Sequence, residues 1–209
     1  MSTSSAYADD PVVCFTPAGI NPAFNITFSN SAGGFVLGYK FTLTEAVRVT
    51  QLGYYDDYGD GLLRSHEVGL YAFDGTLVFS ATVLPSDSLD EVFRYTSIAP
   101  VDLLPGDYVL AGVAGYDPGN LVDNYTHDPY AFTFDSRFSF VENRVRAGLG
   151  NTLTFLSDAD TEMSPILEYG WYGPSMKIVP VPEPTAMLTL VGMGAVAAGA
   201  RWKSRKKKA

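Results

Sequence analysis

The sequence predicts an all-β protein: a single antiparallel β-sandwich of jelly-roll or Greek-key type, followed by one short C-terminal transmembrane helix. Three observations predict this class. Short segments alternate apolar and polar residues with a period of two, turn-forming clusters recur between them, and no helical period is sustained before residue 185. The same spacing of strands also fits a closed barrel, which stays open as the alternative.

The clearest strand is Phe35–Leu43, in which every odd-numbered residue is large and apolar. This alternation predicts that the odd-numbered side chains face the core. Asp74 and Gly75 predict a two-residue type I′ hairpin. After this turn, the residues expected to face inward are Leu77, Phe79, Ala81 and Val83. The other predicted strands are residues 47–54, 67–73, 76–83, 92–98, 108–114, 130–140, 144–148, 152–155 and 176–179.

Charge is distributed unevenly along the 209 residues. The whole chain carries a formal net charge of −9, but residues 1–180 hold 22 acidic side chains against eight basic ones. Such an acidic body disfavours nucleic acid as a partner, because phosphate binding requires clustered Lys and Arg. The single cysteine, Cys14, excludes an internal disulfide framework and a cysteine-rich zinc site. The sequence therefore predicts an acidic domain over residues 11–180.

Residues 181–209 have three parts in a fixed order. Pro182, Glu183 and Pro184 come first, and an apolar run over residues 186–200 follows. A basic cluster then closes the chain, made of Arg201, Lys203, Arg205, Lys206, Lys207 and Lys208. A helix over residues 185–202 would be about 27 Å long, close to the lower limit for crossing a bilayer. The basic cluster would stay on the cytoplasmic side and leave the acidic domain outside.

In order and composition, these three parts resemble the PEP-CTERM sorting signal. The resemblance implies export across the inner membrane, transient anchoring by the helix, and processing by exosortase, a membrane protease-transpeptidase. It also implies cleavage close to residues 182–184, so that the apolar tail is absent from the mature protein. Residues 52–83 are similar to a β-rich domain of uncharacterised function that is common in PEP-CTERM proteins. A permanent C-terminal anchor is the alternative interpretation of the tail.

An exported chain needs a signal peptide, and the N-terminus carries part of that pattern. Residues 6–8, Ala-Tyr-Ala, match the small-residue pattern of a cleavage site, but neither a basic nor an apolar region precedes them. We therefore expect residues 1–10 to be the remnant of a signal-peptide cleavage region. We also expect the true start of translation to lie upstream of Met1.

The densest acidic segment is the loop at residues 56–61. Several carboxylates on one flexible loop are suitable ligands for Ca²⁺. The candidate calcium ligands are Asp56, Asp57, Asp60 and Glu67. The loop is not an EF-hand, because Tyr58 stands where an oxygen ligand is required and strands flank the loop. The composition favours the alternative, a turn with solvated carboxylates.

Aromatic residues cluster near two of the turns. Exposed aromatic rings on the loops of a sandwich can stack on sugar rings, which makes exopolysaccharide a candidate ligand. The candidate glycan-binding residues are Tyr55, Tyr58, Trp171 and Tyr172. The favoured alternative is that these rings pack over the ends of the sandwich, as large amphipathic rings usually do.

Signatures of catalysis are scarce. Ser65, His66 and Glu67 are adjacent, but neighbours on a strand point to opposite faces, so adjacency does not make a triad. Pairs among Asp158, Asp160 and Glu162 could in principle serve glycoside hydrolysis, which requires two carboxylates at a set separation. We expect a non-enzymatic structural or interaction protein of the cell surface or extracellular matrix. A carbohydrate-binding module, with or without Ca²⁺, is the alternative, and a small glycan hydrolase is a less favoured one.

Overall fold

The described strands form two antiparallel sheets of five strands each. This computed structural model describes residues 11–17, 25–26, 33–56, 59–115, 123, 125–126, 132–160 and 172–181. In chain order the strands are β1 (Val12–Val13), β2 (Phe15–Pro17), β3 (Asn25–Ile26), β4 (Phe35–Leu43), β5 (Val47–Tyr55), β6 (His66–Ala72), β7 (Leu77–Val83), β8 (Ser88–Asp90), β9 (Phe93–Leu103), β10 (Gly106–Gly115), β11 (Tyr125–Thr126), β12 (Phe132–Phe134), β13 (Phe138–Ala147) and β14 (Pro174–Pro180).

The two five-stranded sheets are called sheet I and sheet II. Sheet I has the order β1-β14-β5-β9-β8, and sheet II has the order β13-β4-β10-β6-β7. Two smaller pairs join β11 to β3 and β12 to β2. Each large sheet ends in two edge strands, so the strands in the described part of the chain do not close into one ring. The prediction of an all-β protein is confirmed.

Side chains from both sheets pack into one core. Leu52 and Met176 come from sheet I, whereas Phe41, Leu70 and Leu110 come from sheet II, and all five are fully buried. Burying large apolar side chains of this kind contributes about 1.5–3 kcal/mol each. The shared core holds the two sheets face to face, and it fixes which loops meet at each end of the strands.

The alternation predicted for β4 is confirmed. Tyr39, Phe41 and Leu43 lie in the shared core, while Val36 on the other face belongs to a separate buried cluster. Gly38 faces the neighbouring strand so closely that an added Cβ would collide with the carbonyl oxygen of Leu110. The glycine therefore lets β4 and β10 approach each other in the middle of sheet II.

Residues 149–160 cover the outer face of sheet II. Leu156 is fully buried beside Tyr71 and Val109, and Phe155 packs against the same cluster. Because sheet II is covered on both faces, β10 is buried from Val109 to its end. A strand buried on both faces favours a continuous apolar run over strict alternation, which accounts for the sequence of β10. The predicted strand at 152–155 is wrong, since these residues form part of this irregular cover.

Arg144 attaches this cover to β13. Its side chain is fully buried, and the guanidinium Nη1 donates to the carbonyl oxygen of Leu156 at 2.6 Å. Its Nη2 donates to Glu142 Oε1 at 2.6 Å and also to the carboxylate of Asp158. A planar guanidinium can hold several oxygens in one plane, which an ammonium cannot do. One buried cation thus fixes both the strand and the segment that crosses it.

A second ion pair reinforces the attachment two residues further along β13. Arg146 donates to the carboxylate of Asp160, which also accepts from the backbone N–H and the hydroxyl of Ser157. Burial alone would raise the pKa of Asp160, but these hydrogen bonds outweigh burial and hold the pKa below its ordinary value. The carboxylate is therefore held in its charged form at the end of the cover.

The turn between β6 and β7 differs from its prediction. A type I′ turn requires positive φ at both central residues, but Asp74 does not have it and only Gly75 does, at 89°. The chain forms a longer loop, in which Gly75 N–H donates to Ala72 at 3.0 Å and Ala72 N–H donates to Thr76 at 2.9 Å. The prediction of a hairpin at this place is confirmed, and the predicted turn type is wrong.

The register of β7 explains a further difference. Leu70 pairs with Phe79 while Tyr71 pairs with Leu77, so Val78 is an extra residue on β7. An extra residue in one strand of a pair puts the alternation before it out of phase with the alternation after it, so side chains on its two sides change face. Leu77 is accordingly 47% exposed, although the alternation predicts that it faces inward.

The chain divides into two compact units. One unit is Asp10–Val179, and the other consists of Met1–Asp9 with Pro180–Ala209. Of the second unit, the structure describes only Pro180 and Val181. The predicted remnant at 1–10 and the predicted helix at 185–202 lie outside the described residues. Within the described ranges, no helix is long and apolar enough to cross a membrane.

Candidate functional site

Two of the sequence segments that carry candidate site residues meet at one end of sheet I. The backbone N–H of Tyr55, at the end of β5, donates to the carbonyl oxygen of Gly173 at 2.8 Å. Gly173 immediately precedes β14, which lies beside β5 in the sheet. Tyr55 and Gly173 are therefore neighbours, although more than 100 residues separate them in the chain.

Two of the four predicted glycan-binding rings are buried at this junction. Tyr55 is 2% exposed and packs edge-on against Phe93, with ring centroids 5.6 Å apart. Tyr172 is 3% exposed and lies 6.0 Å from the ring of Tyr39. Burial raises the pKa of Tyr172 to about 12. Stacking on a sugar requires an exposed face, so neither ring offers one in this conformation.

The remaining two rings, Tyr58 and Trp171, lie outside the described residues. In the sequence, Tyr58 follows Tyr55 by three residues and Trp171 directly precedes Tyr172. The prediction of a glycan site therefore rests on these two rings, and it stays a prediction.

Asp56 fixes the start of the acidic loop. Its side chain is 1% exposed; Oδ2 accepts from Arg94 Nε at 2.6 Å, and Oδ1 accepts from the backbone N–H of Gly61 at 3.1 Å. Arg94 also donates to the carbonyl oxygen of Asp87 at 2.9 Å. A buried carboxylate is stable only when it is paired and hydrogen-bonded, and both conditions are met here. The carboxylate closes the loop on itself and joins it to β9.

Of the other candidate calcium ligands, the structure describes Asp60 and Glu67. Asp60 is exposed, and Glu67 lies on β6 opposite Thr82. Asp57 lies outside the described residues. Among the residues for which side chains are described, no group of three or more His, Cys, Asp or Glu residues is placed to hold a metal ion. A calcium site at this loop stays a prediction.

A buried polar cluster lies at the same end of the strands. His66, at the start of β6, is fully buried and its ring stacks on Tyr54, with centroids 3.8 Å apart and planes inclined by 6°. Its Nδ1–H donates to the carbonyl oxygen of Val113 at 2.7 Å, since a carbonyl can only accept. Its Nε2 forms a hydrogen bond of 2.7 Å with Asp123 Oδ2. His66 thus links β6, β10 and the segment that follows β10.

Asp123 is the centre of this cluster. The residue is 8% exposed, and besides His66 it accepts from the backbone N–H of Leu63 at 2.6 Å and of Arg64 at 3.2 Å. Three hydrogen bonds therefore converge on the carboxyl group of Asp123. Such an arrangement satisfies a buried polar group that would be costly to leave without partners. The carboxylate fixes the turn that precedes β6.

Tyr54 completes the cluster without adding a hydrogen bond. Its hydroxyl is buried and has no hydrogen-bond partner among the residues that the structure describes. Burial, and then the negative charge of Asp123, raise the pKa of Tyr54. The phenol therefore stays neutral, and its ring serves as the apolar surface on which the imidazole of His66 stacks.

Adjacent residues in the chain do not form this cluster. The side chain of Glu67, next to His66 in sequence, is half-buried on β6, whereas the partner of His66 lies 57 residues away. Asp158, which the sequence offered as one of a pair of hydrolytic carboxylates, binds Arg144. His66 and Arg144 each form hydrogen bonds with groups of the domain itself, as is typical of structural networks.

The candidate sorting motif begins directly after β14. This strand lies between β1 and β5 in sheet I, and it ends at Pro180. Val181 is the last described residue, and Pro182, Glu183, Pro184 and the basic cluster lie outside the described residues. One residue therefore separates a strand inside the sheet from the first proline of the motif.

Comparison with known families identifies this C-terminal segment. Residues 180–206 match the PEP-CTERM protein-sorting motif. No curated protein and no solved structure matches the chain. The resemblance predicted from the residues is confirmed: the chain carries a PEP-CTERM sorting motif behind a β-rich domain. Such a motif marks an exported protein that exosortase processes at the cell envelope.

The residues that hold the domain together could not have been identified from local patterns. Asp56 stands out as part of an acidic run, but its partner Arg94 is 38 residues away. Asp123 has no acidic neighbour and matches no motif. The one usable signal is scarcity: residues 1–180 hold only eight basic side chains, so each is a strong candidate for a structural ion pair.

Proposed function

We propose that this protein is a structural or interaction component of the cell surface or extracellular matrix, and that it is not an enzyme. Its domain is a single acidic β-sandwich of jelly-roll or Greek-key type, anchored transiently by a helix at 185–202. Exosortase releases the tail in an envelope where exopolysaccharide is made. The observation that carries this proposal is the sorting motif at residues 180–206, placed immediately behind a folded β-domain.

The buried polar residues support a structural role. The side chains of Asp56, His66, Asp123 and Arg144 are 0–8% exposed, and each is engaged by hydrogen bonds within the domain. A catalytic group has to reach a substrate, whereas these groups connect strands to loops. The buried polar groups thus make the domain rigid, and a rigid domain suits a protein that works outside the cell.

The first test is the intact mass of the protein purified from its host's envelope or medium. We expect a mass that ends close to residues 182–184, because exosortase removes the apolar tail. A double variant, Pro182→Ala with Pro184→Ala, should retain the tail. The matched control is Pro85→Ala, which changes an exposed loop proline outside the motif and should be processed normally. A full-length mass that includes Lys208 in the unmodified protein would refute the sorting proposal.

A carbohydrate-binding role is the second candidate. It is supported by the hydrogen bond between Tyr55 and Gly173, since Tyr58 lies three residues after the first and Trp171 two residues before the second in the sequence. If the rings act together, Trp171→Ala should abolish binding to the host's exopolysaccharide, while Phe73→Ala, which removes an exposed ring elsewhere, should not. Binding measured with and without Ca²⁺ tests the metal separately. Unaltered binding by the Trp171 variant would count against this role.

A further inference from the structure

The position of β14 has a consequence for the processing reaction, and this inference rests on the proposed function. A processing enzyme that cleaves near residues 182–184 breaks one peptide bond. The carbonyl carbon of the new C-terminal residue passes to water or to an acceptor amine, and the tail leaves with a free amino group. Proteases generally bind several residues on each side of the bond in an extended, accessible form. On the N-terminal side of this bond, those residues belong to β14.

Most of β14 is buried in the folded domain; Lys177 and Val179 are half-buried, and only Pro180 at its end is exposed. Met176 and Ile178 are fully buried in the core, and the carbonyl oxygen of Met176 accepts from the backbone N–H of Cys14 at 3.0 Å. On the other side, the carbonyl oxygen of Lys177 accepts from the hydroxyl of Thr50 at 3.4 Å. The strand is therefore held from both sides, by β1 and by β5.

Side-chain contacts at Lys177 add to this attachment. Its ammonium pairs with the carboxylate of Asp90 and lies 4.6 Å from the centre of the Tyr95 ring. The strand ends at Pro180, and only Val181 separates this end from Pro182. An enzyme that needs more than about one residue before the motif must draw the end of β14 out of the sheet.

We propose that the docked strand β14 limits the access of the processing enzyme to the sorting motif. Release of the tail is slow while β14 is docked, and it proceeds through the fraction of molecules in which the end of the strand has come out. When a protease acts on such an opened state, the rate follows the population of that state. In the opened state Ile178 leaves the core. The free energy lost by exposing this one side chain makes the opened state about 10- to 100-fold rarer.

The test is a spacer placed between the strand and the motif. Six Gly and Ser residues inserted between Val181 and Pro182 give the enzyme accessible chain without disturbing β14. We expect the tail to be released about tenfold faster or more in pulse-chase labelling of the full chain in its host. The same six residues inserted in the exposed turn between Asp74 and Gly75 serve as the control, and they should leave the rate unchanged.

A second variant tests the same idea without changing the spacing. Ile178→Ala weakens the docking of β14 and leaves the motif intact, so it should also speed release. Equal rates in the unmodified protein and the spacer variant, or a slower rate with the spacer, would overturn the inference. If no chain loses its tail, including the unmodified one, the proposed function fails instead. The two failures are therefore distinguishable.

Discussion

Asp123→Ala is expected to lower the free energy of unfolding by about 3–5 kcal/mol, which is typical when one partner of a buried polar pair is removed. The substitution removes the hydrogen-bond partner of three groups, His66 and the backbone N–H groups of Leu63 and Arg64. His66 is fully buried, so water cannot easily replace the lost oxygen. Chemical denaturation of the purified protein, followed by fluorescence, measures the change.

Two further substitutions separate the contributions at Asp123. Asp123→Asn keeps one carbonyl oxygen and should lose less stability than Asp123→Ala, because a backbone donor still finds an acceptor. Asp102→Ala is the matched control, since its carboxylate is paired with Arg48 on the exposed surface and should matter little. An effect of Asp123→Ala as small as that of the control would contradict the role assigned to the buried cluster.

Arg144→Ala is expected to cost about 2–4 kcal/mol, because a buried, charge-assisted hydrogen-bond network and the packing of a long side chain are lost together. The carbonyl oxygen of Leu156 loses its donor, and Asp158 loses its cation. The cover at residues 149–160 should then separate from sheet II. Arg144→Lys should not restore stability, because an ammonium lacks the planar set of donors.

Limited proteolysis reports on the cover directly. No Lys or Arg lies between Arg146 and Lys177, so trypsin is uninformative, but chymotrypsin can cleave after Phe155. We expect Arg144→Ala to be cut there faster than the unmodified protein. Arg48→Ala is the control, because Arg48 also pairs with an aspartate but lies on the exposed surface. We expect this variant to be cleaved at the same rate as the unmodified protein. Equal cleavage of all three proteins would show that Arg144 does not hold the cover.

The strands of this fold could be predicted because their pattern is local. Alternation alone gave the bounds of β4 and the faces of its side chains. The turn at Asp74 could not be predicted fully, because its geometry depends on the register between β6 and β7. The strand expected at 152–155 was wrong for a different reason. Its apolar residues face a sheet, but they do so as an irregular cover held by Arg144, and a pattern of polarity does not distinguish the two.

The site residues likewise divide into those that a local sequence pattern reveals and those that only the fold brings together. The sorting motif could be recognised because all its parts are contiguous in the sequence. The cluster of His66, Asp123 and Tyr54 could not, because its members lie on different elements and only the folded topology brings them together. A residue such as Asp123 carries no local signal, and its role follows from where two distant loops meet.

The pairing of the first strand with the last has a consequence for the domain as a module. Val12 lies opposite Ile178 in an antiparallel pair, so the chain enters and leaves the domain side by side, about 5 Å apart. A domain whose ends adjoin can be inserted into a loop of another protein without forcing that loop apart. For the same reason, a short linker could join its ends while new ends are opened at the exposed loop between β6 and β7, giving a circularly permuted form with the same sheets.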